Sequence, residues 1–157
     1  MTTNAIGIKT EQAQSLAADL NDLLANYQVF YMNARGYHWN IRGKDFFELH
    51  LKFEELYNDL LLKIDEIAER VLTLGYEPAH SYSSYLGASA IQEKSKVTDG
   101  SEAIAQILEA FKTLLGKQRK LLAEAGEAGD EGTSALMSDY IRAQEKMVWM
   151  YGAYLNR

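Results

Sequence analysis

The sequence predicts an all-α fold: one domain, a four-helix bundle with a long connection between its second and third helices. Three observations predict it. A single proline stands among 157 residues, and Leu, Ala, Glu and Lys are abundant, a composition that favours helix. Apolar residues recur at helical spacing in four separate stretches. Between the second and third of these, residues 75–100 are broken by Gly75, Pro78, Ser81, Ser83, Ser84, Gly87, Ser89 and Gly100, a connection too long for an ordinary bundle loop.

Residues 1–9 show no periodicity and are expected to form a flexible tail, leaving the domain at 10–157. Thr10 suits an N-cap and Glu11 suits the helix dipole. Ala13, Leu16, Leu20, Leu23, Leu24, Tyr27, Phe30, Tyr31 and Ala34 then carry a first helix that runs into His38 and Trp39 and stops before Gly43. Asp45 and Glu48 have capping-box spacing and open the second helix, whose core line is Leu49, Phe53, Leu56, Leu60, Ile64, Ile67, Val71 and Leu74. Gly75 is its expected C-cap. Each of these helices is about 30 residues, or ~45 Å, and the short turn between them makes them antiparallel. A short helical turn is expected at Tyr82, Tyr85 and Leu86 within the crossover. Asp99 and Glu102 repeat the capping-box spacing before a third helix that runs from Ile104 through Phe111 and Gln118 to Leu122. Ala123 to Thr133 is expected to be a glycine-rich, acidic turn, followed by a fourth helix from Leu136 to Leu155. One long crossover is the mark of the ferritin-like topology rather than of a plain up-down bundle.

The composition also excludes. There is no cysteine, so disulfides, zinc–thiolate sites and thiol chemistry are ruled out. No apolar run approaches the roughly 18 residues of a membrane span, and the N-terminus lacks the pattern of a signal peptide, so the cytoplasm is expected. A net charge of −6 argues against general affinity for nucleic acid.

The chemistry lies on the second helix, one step off its core line. His50 and Glu54 are four apart, as are Asp65 and Glu69, so each pair shares one face. Glu54 and Asp65 are eleven apart, which returns within ~20° of the same direction but spans ~16 Å. The two pairs therefore cannot hold one ion within one chain. Phe47, Leu51, Leu61, Leu62 and Leu72 lie along or beside this side and need burial by something, most simply a second copy. An antiparallel two-fold contact between second helices would set His50 and Glu54 of one copy against Asp65 and Glu69 of the other, making two identical sites. His38, at the end of the first helix, would add a second imidazole. Imidazole with carboxylate suits iron, manganese or zinc. Equally, carboxylates among Glu55, Asp59 and Glu66 would make an ordinary solvated face. Glu77 and His80 have the Glu-x-x-His spacing of di-iron bundles, but Pro78 between them argues against a helix there.

His38-Trp39-Asn40, Phe46-Phe47-x-Leu49-His50, Asp65-Glu66-x-x-Glu69-Arg70, Asp130-x-x-Thr133 and Glu145-Lys146-x-x-Trp149-Met150 together resemble the signature of the Dps family, mini-ferritins named for protecting DNA in starved cells. The resemblance covers roughly residues 8–156. It implies a dodecameric shell of 23 symmetry with ferroxidase centres at its two-fold interfaces. His38, His50 and Glu54 would come from one subunit, Asp65 and Glu69 from the next. Glu54 departs from the aspartate usual at its position. The implied reaction is oxidation of Fe(II) in pairs, preferably by hydrogen peroxide, with ferric oxide stored inside. Trp39 is similar to the family tryptophan beside the centre and would accept a stray oxidising equivalent. Acidic pores on three-fold axes are implied near the start of the last helix, where Glu124, Glu127, Asp130 and Glu131 fall.

Family members that bind DNA tend to use tails rich in lysine and arginine, and this N-terminal tail offers only Lys9, so direct DNA binding is expected to be weak or absent. A nucleoid-compacting protein with incidental iron chemistry and a metal-free helical scaffold are the competing readings.

Overall fold

The computed structural model describes residues 2–157. Five helices make up the fold: α1 (Thr10–Asn40), α2 (Phe46–Thr73), the short α3 (Tyr82–Ala88), α4 (Gly100–Ala128) and α5 (Glu131–Tyr154). The four long ones form the expected bundle, with α3 inside the crossover. All eight residues of the α2 core line are buried, packed with Leu20, Leu23, Leu24, Phe30, Ile107, Phe111, Leu114 and Met137.

The crossover runs the length of α1, and α1 holds it there with three asparagines. Asn21 donates to Glu77 O at 3.1 Å and accepts from Ala79 N at 2.8 Å. Asn26 Oδ1 accepts from Ala90 N and Ile91 N. Asn33 donates to Gln92 O and accepts from Lys94 N. Each amide stands in for a missing strand or helix partner, so a long irregular segment has its backbone satisfied. Arg42 N donates to Thr98 O at the far end. The chain has then returned to where α2 began, so α4 runs parallel to α2 and α5 parallel to α1. Glu77 and His80 lie outside any helix, and both are exposed.

Several boundaries differ from expectation. Thr10 is already inside α1, and Lys9 caps it without a side-chain bond. Asp45 is the α2 N-cap by position, but its carboxylate accepts from the Tyr154 hydroxyl at 2.7 Å, tying the α1–α2 turn to the end of α5. Asp99 caps α4 as expected, through Glu102 N at 2.9 Å. Gly75, at φ +95°, ends α2 in a Schellman arrangement: Tyr76 N reaches Val71 O and Gly75 N reaches Leu72 O. The turn expected across Ala123–Thr133 is only Gly129 and Asp130, because α4 continues through Gly126. Gly100 begins α4 instead of breaking a loop, and a methyl there would meet Leu49 Cδ1 at 2.5 Å. In residues 2–9, Asn4 donates to Leu74 O at 3.2 Å and Ile8 is buried.

Candidate metal centre

His38 comes from the last turn of α1 and His50 from the second turn of α2. Their rings stack, with centroids 3.8 Å apart and planes 11° from parallel. The two are locked by a reciprocal pair of bonds: His38 Nδ1 lies 2.6 Å from His50 O, and His50 Nδ1 lies 2.7 Å from His38 O. A carbonyl only accepts, so each Nδ1 carries a proton, and the lone pair of the neutral form of each imidazole lies on Nε2. Phe46 stacks on the outer side of His50 at 4.8 Å, and Tyr57 meets His38 edge-on at 5.3 Å. His38 is buried, and Glu54 Oε1 lies 3.7 Å from its Nε2. The structure thus sets His50 against His38 and Glu54 beside His38.

Asp65 and Glu69 lie exposed further along α2. They are brought to each other: a hydrogen bond to Asp65, then its charge, raises the Glu69 carboxyl above its ordinary range. Two adjacent carboxylates with no cation between them repel. Eleven residues of helix, roughly 16 Å, separate Glu54 from Asp65. Among the described residues of one chain, no three His, Asp or Glu converge on one point. Phe47, Leu51, Leu61, Leu62 and Leu72 are all exposed, Phe47 by 85%. Trp39, at the end of α1, is 60% exposed.

The four acidic positions near the last turn separate. Asp130 is 2% exposed; its oxygens accept from Arg70, Thr133 N and Thr133 Oγ1, so it caps α5 and faces no channel. Arg70, which also donates to Thr133 Oγ1, staples the end of α2 to this turn. Glu124 is half-buried on α4, paired with Lys120 at 3.1 Å, and a hydrogen bond to Asp19 raises its carboxyl. Glu127 and Glu131 remain exposed.

The chain matches the ferritin-like domain over residues 17–157. A DNA protection during starvation protein of Porphyromonas gingivalis is 41% identical, with 96% of this chain and 95% of the relative covered. The crystal structure of a Dps protein from Vibrio cholerae superposes with a TM-score of 0.97 at 62% identity, covering 99% of this chain and 98% of the other. This chain belongs to the Dps family. That Vibrio structure is described as a member of a broad superfamily of ferritin-like diiron-carboxylate proteins. Another relative, at 33% identity over 92% of this chain, is general stress protein 20U of Bacillus subtilis. Among the described residues, no helix is long and apolar enough to cross a membrane.

The sequence reading missed the asparagine ladder, the reciprocal histidine bonds and the Arg70 staple. Only the last left a trace, in the matched Arg70 and Asp130-x-x-Thr133 motifs.

Proposed function

We propose that this chain is a cytoplasmic ferroxidase and iron-storage subunit, working as a dodecamer assembled from two-fold dimers. The observation that carries the reading is the pinning of both Nδ1 atoms, which makes Nε2 the metal-binding nitrogen of each stacked ring, with Glu54 beside that of His38. Imidazole and carboxylate are the donor set suited to Fe(II), the substrate. Asp65 and Glu69 of the partner subunit complete each centre, and the cation relieves their mutual repulsion. Burial of the exposed Phe47, Leu51, Leu61, Leu62 and Leu72 drives the pairing.

In the reaction, two Fe(II) ions give one electron each to one hydrogen peroxide. Its O–O bond breaks and, with two waters, two ferric oxyhydroxide units and four protons result. Because one peroxide takes both electrons, no hydroxyl radical is released. Glu54 carries one methylene more than the usual aspartate and keeps its charge within reach of His38 Nε2. Glu127 and Glu131 line the entry path for the cation, and Asp130 serves the turn instead. Protection of DNA is chemical rather than by direct binding, since residues 1–9 hold one lysine, Lys9, and no arginine. DNA retained by the assembled shell in a gel shift at moderate salt would revive the nucleoid-compacting reading.

The direct test replaces both His38 and His50 by Ala and follows Fe(II) oxidation by peroxide in stopped flow. We expect a loss of about 100-fold or more, with assembly intact by size-exclusion chromatography. Unchanged rates would overturn the site.

A further inference from the structure

Arg35 stands one turn before Trp39 on α1 and is spent entirely on aromatic rings. Its guanidinium carbon lies 4.2 Å from the centroid of Tyr57, 5.4 Å from that of Tyr31 and 5.7 Å from that of Trp39. Its Nε donates to the Tyr31 hydroxyl at 2.9 Å. Among the described residues, it is in ion-pair contact with no carboxylate. The rings it covers lead to the histidines. Tyr31 meets Tyr57 edge-on at 6.1 Å, and buried Tyr57 meets His38 edge-on at 5.3 Å.

A cation over a ring face is attracted by the π electrons of the neutral ring. Removing an electron from that ring leaves a positive charge facing a positive charge. The guanidinium therefore makes each covered ring harder to oxidise. The hydrogen bond to Tyr31 acts the same way, since it draws electron density from the phenol oxygen.

We propose that Arg35 is a positioning residue that holds Tyr57, Tyr31 and Trp39 in their reduced state beside the histidine pair, against the electron-donor role that the resemblance implies for Trp39. Its use rests on the ferroxidase reading. When a single Fe(II) meets peroxide, one electron is lacking, and a peroxide-derived one-electron oxidant remains. If Tyr57 supplied that electron together with its phenolic proton, the oxidant would be reduced to water and the ring left as a tyrosyl radical. Arg35 disfavours that loss, so the second electron is drawn from a second Fe(II) rather than from the protein.

The test needs no iron. Metal-free protein is oxidised by photogenerated tris(bipyridine)ruthenium(III) at limiting dose. Oxidation at Tyr31, Trp39 and Tyr57 is read by peptide mass spectrometry against Tyr82, which is 80% exposed and on another helix. Arg35→Gln and Arg35→Met should each raise oxidation of the covered rings about three- to tenfold relative to Tyr82. Arg35→Lys, which keeps the charge, should stay within about twofold of the native protein. No rise in Gln and Met, or an equal rise in Lys, would overturn the proposal, because lost packing would act in all three. A second arm adds Fe(II) and limiting peroxide and counts radicals by freeze-quench electron paramagnetic resonance. A ruthenium effect without iron-driven radicals in any variant would overturn the part of the proposal that places Arg35 in the iron reaction, while the ferroxidase reading is judged separately by stopped-flow Fe(II) oxidation in the native protein.

Discussion

Two polar clusters in this molecule both take a member from α1, with opposite outcomes. Inside the bundle, Tyr27, Gln118 and Gln144 are fully buried and close a ring among themselves. Tyr27 donates to Gln118 Oε1, Gln118 Nε2 donates to Gln144 Oε1, and Gln144 Nε2 donates back to the Tyr27 oxygen. Burial holds the Tyr27 phenol well above its ordinary range, so the ring stays neutral. On the outer side, where the end of α1 meets α2, His38, His50, Glu54, Asp65 and Glu69 answer one another only in part: Glu54 lies 3.7 Å from His38 Nε2, and the Asp65 and Glu69 carboxyls crowd each other. A network that satisfies itself fixes a fold. One that is locked on one side and open on the other is prepared for something that arrives.

The sharpest way to break the comparison is complementation. A His50→Ala chain and an Asp65→Ala chain, mixed after dissociation, would form mixed dimers in which one of two sites is intact. With random pairing, activity should return to about a quarter of the native rate. No recovery after verified exchange would mean the outer cluster is not shared. Next in size is Tyr27→Phe, which leaves amide groups of Gln118 and Gln144 unpaired in the core. It should cost ~1–3 kcal/mol, read as a lower denaturant midpoint, with iron oxidation unaffected. Equal stability would show that the inner ring contributes nothing. The smallest effect is expected at the rim, where Tyr154 donates to Asp45. That bond and the carboxylate charge push the Tyr154 phenol up to about 12. A phenol raised in the folded state contributes stability that is complete below its unfolded value near 10 and is lost as pH rises through about 12. Tyr154→Phe should remove that part of the alkaline dependence, measured as thermal midpoints across the same window.

Much of the fold was legible because periodicity is local. The core line of α2, the Asp99 cap, Gly75 at the C-cap and the short helix of the crossover needed only spacing and side-chain chemistry. Capping at Asp45 misled because its spacing is right while Tyr154, more than a hundred residues away, offers a better partner. Gly126 misled because a glycine within a well-packed helix is tolerated. Asp130 groups with the pore acids in the sequence because nothing in its neighbourhood announces Arg70.

The sequence by itself determined the four long helices, the exposed apolar side of α2 and the separation of the His50/Glu54 pair from the Asp65/Glu69 pair, all consequences of a fixed rise and turn per residue. Only the tertiary structure decided how the crossover is held, which acids face solvent, and that each histidine pins the other through the opposite backbone carbonyl. Those depend on residues far apart in the chain meeting at hydrogen-bond distance, which no local pattern encodes.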